Sequence, residues 1–148
     1  MENLRRKILL DALALYEEFT MRHRGSTALQ RDLAMVQAGI AQIQKALGKD
    51  NEALEAANAA ITILESVVAS VPDDTNLLLA TARQHSRRAF TLNGRDRVND
   101  AEADIGRCLE LLHSVLAKNP ELEEAELMLG EILRARGVSQ RLKQKSEE

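Results

Sequence analysis

Residues 53–72 read ALEAANAAITILESVVASVP, and residues 101–120 read AEADIGRCLELLHSVLAKNP. Set one over the other at an offset of 48, they agree at six positions: Ala53/Ala101, Leu64/Leu112, Ser66/Ser114, Val67/Val115, Ala69/Ala117 and Pro72/Pro120. Five of the other fourteen pairs exchange one apolar residue for another, as Ile61/Leu109 and Ile63/Leu111 do. The same offset brings Thr27 onto Thr75 and Leu29 onto Leu77. Each stretch carries an apolar stripe at helical spacing. In the first it is Ala53, Ala57, Ala60/Ile61, Leu64, Val67/Val68 and Val71; in the second, Ala101, Ile105, Cys108, Leu112 and Val115. An internal repeat of helical character predicts stacked supersecondary units, because one such unit cannot bury both of its faces alone.

The pattern extends outward from these two stretches. Leu29, Leu33, Val36, Ile40, Ile43 and Leu47 step by three or four and predict a helix that Gly48 ends. Asp50 or Asn51 can cap the next helix. Pro72-Asp73-Asp74-Thr75 stops that one and starts a fourth, which carries Leu78, Ala82, Ala89 and Leu92 and ends at Asn93-Gly94. Asn99, with Glu102 three residues on, predicts the cap of a fifth. Asn119-Pro120 predicts the start of a sixth, with Leu122, Ala125, Leu129 and Ile132/Leu133 on its stripe and Gly137 at its end. A first helix over about 3–23 uses Leu4, Ile8, Ala12, Leu15 and Phe19. No segment alternates with period two for long enough to predict a strand. The expected organisation is one domain over 1–137 and a flexible tail over 138–148.

Composition agrees and narrows the function. The chain has 148 residues, the size of one ordinary domain. Hydrophobic residues make up 45% and charged residues 29%, which predicts a globular chain. Aromatic residues make up only 2%, with no Trp, one Tyr and two Phe, which speaks against β-sandwiches, base-stacking platforms and aromatic cages. A net charge of −3 provides no broad drive toward nucleic acid or anionic membrane. Residues 1–74 hold 8 basic and 11 acidic residues and residues 75–148 hold 12 of each, so any basic character is local. No apolar run reads as a membrane span, and the N-terminal stretch, interrupted by Asp11, Glu17 and Glu18, reads as an amphipathic helix rather than a leader. A cytoplasmic location is expected.

The run Gly48-Lys-Asp-Asn-Glu-Ala-Leu-Glu-Ala-Ala-Asn-Ala-Ala-Ile resembles the junction of a tetratricopeptide (TPR) repeat, and Asn99-Asp100-Ala101-Glu102-Ala103 resembles it again, two residues further from its Gly. The resemblance spans roughly residues 10–137. The unit here is about 46–48 residues rather than roughly 34, and the usual first-helix aromatics are absent. With its opening RRKILLDALALYEEF, the chain is similar to the long-repeat TPR-like regions attached to some bacterial serine/threonine protein kinases. The resemblance implies an all-α, right-handed stack of antiparallel helix hairpins, about six helices in all. It implies a non-catalytic protein–protein interaction scaffold, or an accessory module of such a kinase, that binds a partner peptide or helix in a groove. A second reading is a structural self-association or spacer module.

His23, His85 and His113 lack the i, i+4 partner of a helical zinc site, and His85 and His113 read as boundary packing. Cys108 lies in a core stripe and reads as a buried, inert thiol, with no His or Asp placed beside it. Asp73 and Asp74 sit where helix caps belong. Neither an active site nor a cofactor nor a metal is expected. The sharpest polar feature is an arc of about 140° on the fourth helix holding Arg83, Gln84, Arg87, Arg88 and Thr91. Arg95 and Arg97 follow it. By the TPR analogy, this arc edges the binding groove, with Gln37, Gln44 and Lys45 before it and Arg134 after it. Guanidinium forks there suit carboxylates of a peptide partner.

Overall fold

The computed structural model describes residues 2–23 and 29–147; Thr27, one member of the repeat, lies outside them. Six helices follow in order: α1 (Glu2–His23), α2 (Gln30–Ala46), α3 (Asp50–Ser70), α4 (Thr75–Asn93), α5 (Val98–Lys118) and α6 (Glu123–Glu147). Among the described residues there is no strand. The repeat is carried by whole elements: α5 begins and ends 48 residues after α3, and α6 begins 48 residues after α4.

The helices form two compact units, Met1–Ser70 and Val71–Glu148. In the first unit, α2 packs on α3 and α1 on α2. Leu13, Ile40, Ile43 and Ala56 form a core there, with Leu9, Ala12, Val36, Ala41 and Leu47 against it. In the second unit α4 packs on α5, and α6 packs on both. Its fully enclosed residues include Leu77, Leu112, Val115 and Ile132. Buried small residues bring the helices together. Ala34 and Ala60 in the first unit, and Ala82, Ala89, Ala101, Ala125 and Ala135 in the second, are sealed from solvent. Gly39 of α2 is one such approach: a Cβ there would stand 2.6 Å from the ring of Tyr16 on α1.

Three boundaries differ from the sequence expectation. Asn99 is not a cap; α5 starts at Val98 after Arg97, which makes no side-chain cap bond. Asn119 ends α5 instead of opening α6. Gly137 does not end α6, which continues to Glu147. That last stretch is held by burial: the Ser139 hydroxyl donates to Asn93 Oδ1 at 2.8 Å, and Asn93 Nδ2 donates to the Ala135 carbonyl at 3.2 Å. Of the two acidic residues before α4, Asp74 caps it, accepting from the Leu77 amide at 3.0 Å, while Asp73 pairs with Lys118. By length and composition α3 could cross a membrane, which the sequence reading did not anticipate; part of that helix is buried within the structure.

The turns explain why the second junction stands two residues further from its glycine. Gly48 has φ 75°, and the Lys49 and Gly48 amides bond back to the carbonyls of Gln44 and Lys45, a Schellman ending. After α4, Gly94 keeps a right-handed φ of −66°. The left-handed residue is Asp96, at φ 56°, and the Arg97 amide bonds back to the Leu92 carbonyl at 3.0 Å. Asp96 is 48 residues after Gly48, so it is the true counterpart, with a side chain where glycine is favoured. Asp96→Gly is expected to stabilise the protein by up to about 1 kcal/mol, and Gly48→Ala to destabilise it by about 1 kcal/mol. Urea denaturation of the two variants checks both signs.

Candidate functional site

The α4 arc is divided by the fold. Gln84 is buried, Arg87 is exposed, and Arg83 and Arg88 are in between. Arg83 pairs with Glu124 at the start of α6. Arg87 stands one turn from Arg83. Desolvation, and then repulsion from Arg83, lowers its pKa below the usual guanidinium range. Arg95 is exposed in the turn, and Arg97 pairs with Asp100. Gln37 and Gln44 belong to the first unit, where Gln37 is half-buried and Gln44 buried; Lys45, also there, pairs with Asp50. Arg83 lines a shallow groove of about 360 Å³ with Glu123, Glu124, Leu127, Met128 and Glu131. A neighbouring hollow shares Glu123 and Leu127 and adds Arg134. This face is of mixed charge, with Leu127 left 64% exposed at its middle.

Arg88 turns inward. Its Nε donates to Asp104 Oδ2 at 2.7 Å and its Nη2 to Oδ1 at 2.6 Å, a two-pronged pairing that fits a planar guanidinium to a carboxylate. His85 Nδ1 lies 2.7 Å from the same Oδ1. An ionised carboxylate has no proton to give, so Nδ1 is the donor. Asp104 is 2% exposed. Burial alone would raise its pKa. The hydrogen bonds from Arg88 and His85, with the Arg88 charge, outweigh that and hold it below the usual carboxylate value.

Two sequence expectations change here. His85 is a buried partner of a charge, not boundary packing. Cys108 does have an aspartate beside it: Asp104 is one turn earlier on α5. Its influence runs against reactivity, since burial and then Asp104 push the thiol up to about 12. Burial, the ground of the expected inertness, is thus the larger cause, and Asp104 adds to it. Asp104 itself was missed. Its signal was present, for it falls three residues after Ala101 and four before Cys108, within the apolar stripe of α5. Among the described residues no group of three or more His, Cys, Asp or Glu side chains is placed to hold a metal ion.

No family model, no curated protein and no solved structure matches the chain.

Asp104→Asn is expected to lose about 3 kcal/mol at neutral pH, because it leaves a half-buried guanidinium without its counter-charge. The folded pKa of Asp104 is depressed, so its contribution is present above the ordinary carboxylate pKa of about 4 and fades as pH falls below it. The gap between wild type and variant should therefore narrow below pH 4 in denaturation series. A maleimide or disulfide reagent should label Cys108 only as fast as unit two opens. Labelling that is fast under native conditions would contradict its burial.

Proposed function

We propose that the protein is a non-catalytic interaction scaffold that holds a partner helix or peptide on the α4–α6 face of its second unit. The observation that carries this reading is the groove where Arg83, Glu124 and Leu127 meet, with Arg87 beside it. Two neighbouring guanidiniums that repel one another gain from an incoming carboxylate. The exposed Leu127 supplies an apolar contact at the centre, and Glu123, Glu124 and Glu131 give the rim the opposite charge. The fitting partner is an amphipathic helix that offers both an acid and an aliphatic residue. With no Trp in the chain, binding rests on arginine and aliphatic contacts.

In this reading the α2–α3 and α4–α5 pairs are successive hairpins of a right-handed TPR-like stack. The 48-residue register of the helices supports that assignment. The protein would act in the cytoplasm, alone or as an accessory module of a bacterial serine/threonine kinase. Arg88 and Gln84 drop out of the contact set, because Arg88 holds Asp104 and Gln84 is buried.

A second reading, self-association, is favoured by α1. Its Leu4, Ile8 and Leu15 are 59%, 59% and 66% exposed, an apolar row of the kind that a second copy covers. A mass in sedimentation that rises with concentration, and falls back to monomer in Ile8→Asp, is the outcome that reading predicts.

The scaffold reading is tested by reversing Arg83 and Arg87 to Glu together, and separately by Leu127→Asp. Both variants should fold with melting points close to wild type and should lose partner capture at least tenfold in a pull-down. Unchanged capture in both would remove the groove from the account.

A further inference from the structure

The 48-residue register places His85, Arg88 and Asp104 opposite Gln37, Ile40 and Ala56 of the first unit. In unit two these positions are filled: an arginine stem runs in and its head sits on a carboxylate. In unit one the arginine and the aspartate are missing, and the same three positions line an open cleft of about 480 Å³. Ile40, Ala56 and Met21 supply apolar surface; Glu17, Glu52 and Glu55 add three carboxylates. Among the described residues no cation is paired with these glutamates.

The cleft holds a second, independent mark. Gln44, which lines it, is only 7% exposed, and its Oε1 is sealed from solvent with no hydrogen-bond partner among the described residues. A buried carbonyl left unpaired costs about 1–3 kcal/mol. Turned about its last torsion, the Gln44 amide would present that oxygen to a donor that enters the cleft. Three carboxylates and an unpaired carbonyl, with apolar surface beside them, match a group rich in donors on an aliphatic stem. That is the chemistry of arginine: three methylenes for Ile40, Ala56 and Met21, and five N–H groups for one carbonyl and the carboxylates.

We propose that the first-unit cleft binds the arginine side chain of a partner polypeptide, which takes the place that Arg88 fills from within in the second unit. This site belongs to the first unit, the groove proposed above to the second, and the two select opposite charges, so the two readings stand or fall separately.

The test is a titration of the ¹⁵N-labelled full chain with N-acetyl-arginine amide and with hexa-arginine, followed by amide shifts. N-acetyl-norleucine amide is the control for the stem alone. Shifts should gather on residues 17–21, 37–44 and 52–56, and hexa-arginine should bind at least fivefold more weakly at 300 mM than at 50 mM salt. Glu52→Gln with Glu55→Gln changes only exposed side chains and should weaken binding at least tenfold. Gln44→Leu should raise the melting temperature while weakening binding at least fivefold. The Arg83→Glu, Arg87→Glu variant should bind as wild type does. Shifts spread over other surfaces, equal response to the norleucine control, or wild-type affinity in both cleft variants would overturn the proposal.

Discussion

A carboxylate removed from water must be paired, and in this protein Asp104 decides how the second unit is put together. Burying that charge alone would cost several kcal/mol. Arg88 meets it with two donors and His85 with a third, and all three sit on the facing sides of α4 and α5. The geometry fixes which turn of α4 faces which turn of α5. The apolar contacts above and below, Leu77, Leu112 and Val115 among them, then close around a register already set. The neutral ends of the chemistry follow as well, for the Cys108 thiol next to Asp104 is held protonated.

Elsewhere the helices pack without large rings. Ala82, Ala89, Ala101, Ala125 and Ala135 are sealed in the second unit, and Ala34 and Ala60 in the first. Small side chains allow backbones to approach closely, and they leave little slack for substitution. The one tyrosine shows the limit, since its ring lies 2.6 Å from where a Cβ on Gly39 would be. The 2% aromatic content is thus a packing solution.

The helices were legible because their signal is periodic. The stripes Leu29–Leu47 and Ala53–Val71 led directly to α2 and α3, and the offset of 48 recurs in the bounds of α3 and α5. Ends were less legible where composition misleads. Gly94 does mark the end of α4 but stays right-handed, and the left-handed turn falls on Asp96, a residue that local sequence does not mark. Gly137 looks like an end, yet the long-range bonds of Asn93 and Ser139 carry α6 past it. At the candidate site the arc of arginines was visible, but not its partners. Arg88 is spoken for by a residue sixteen positions on, and Arg83 by one forty-one positions on; neither separation leaves a local trace. Asp104 could have been found, because a carboxylate three and four residues from core positions of one helix face needs a cation on its neighbour.

The most direct measurement is a double-mutant cycle on Arg88 and Asp104, with each changed to Ala alone and then together, read by urea denaturation at pH 7. A buried, two-pronged ion pair that sets the α4–α5 register should give a coupling energy of about 2–3 kcal/mol, with the double variant far less damaged than the two single losses combined. A coupling within about 0.5 kcal/mol of zero would mean that the two side chains act independently, and the account of how the second unit is organised would be wrong.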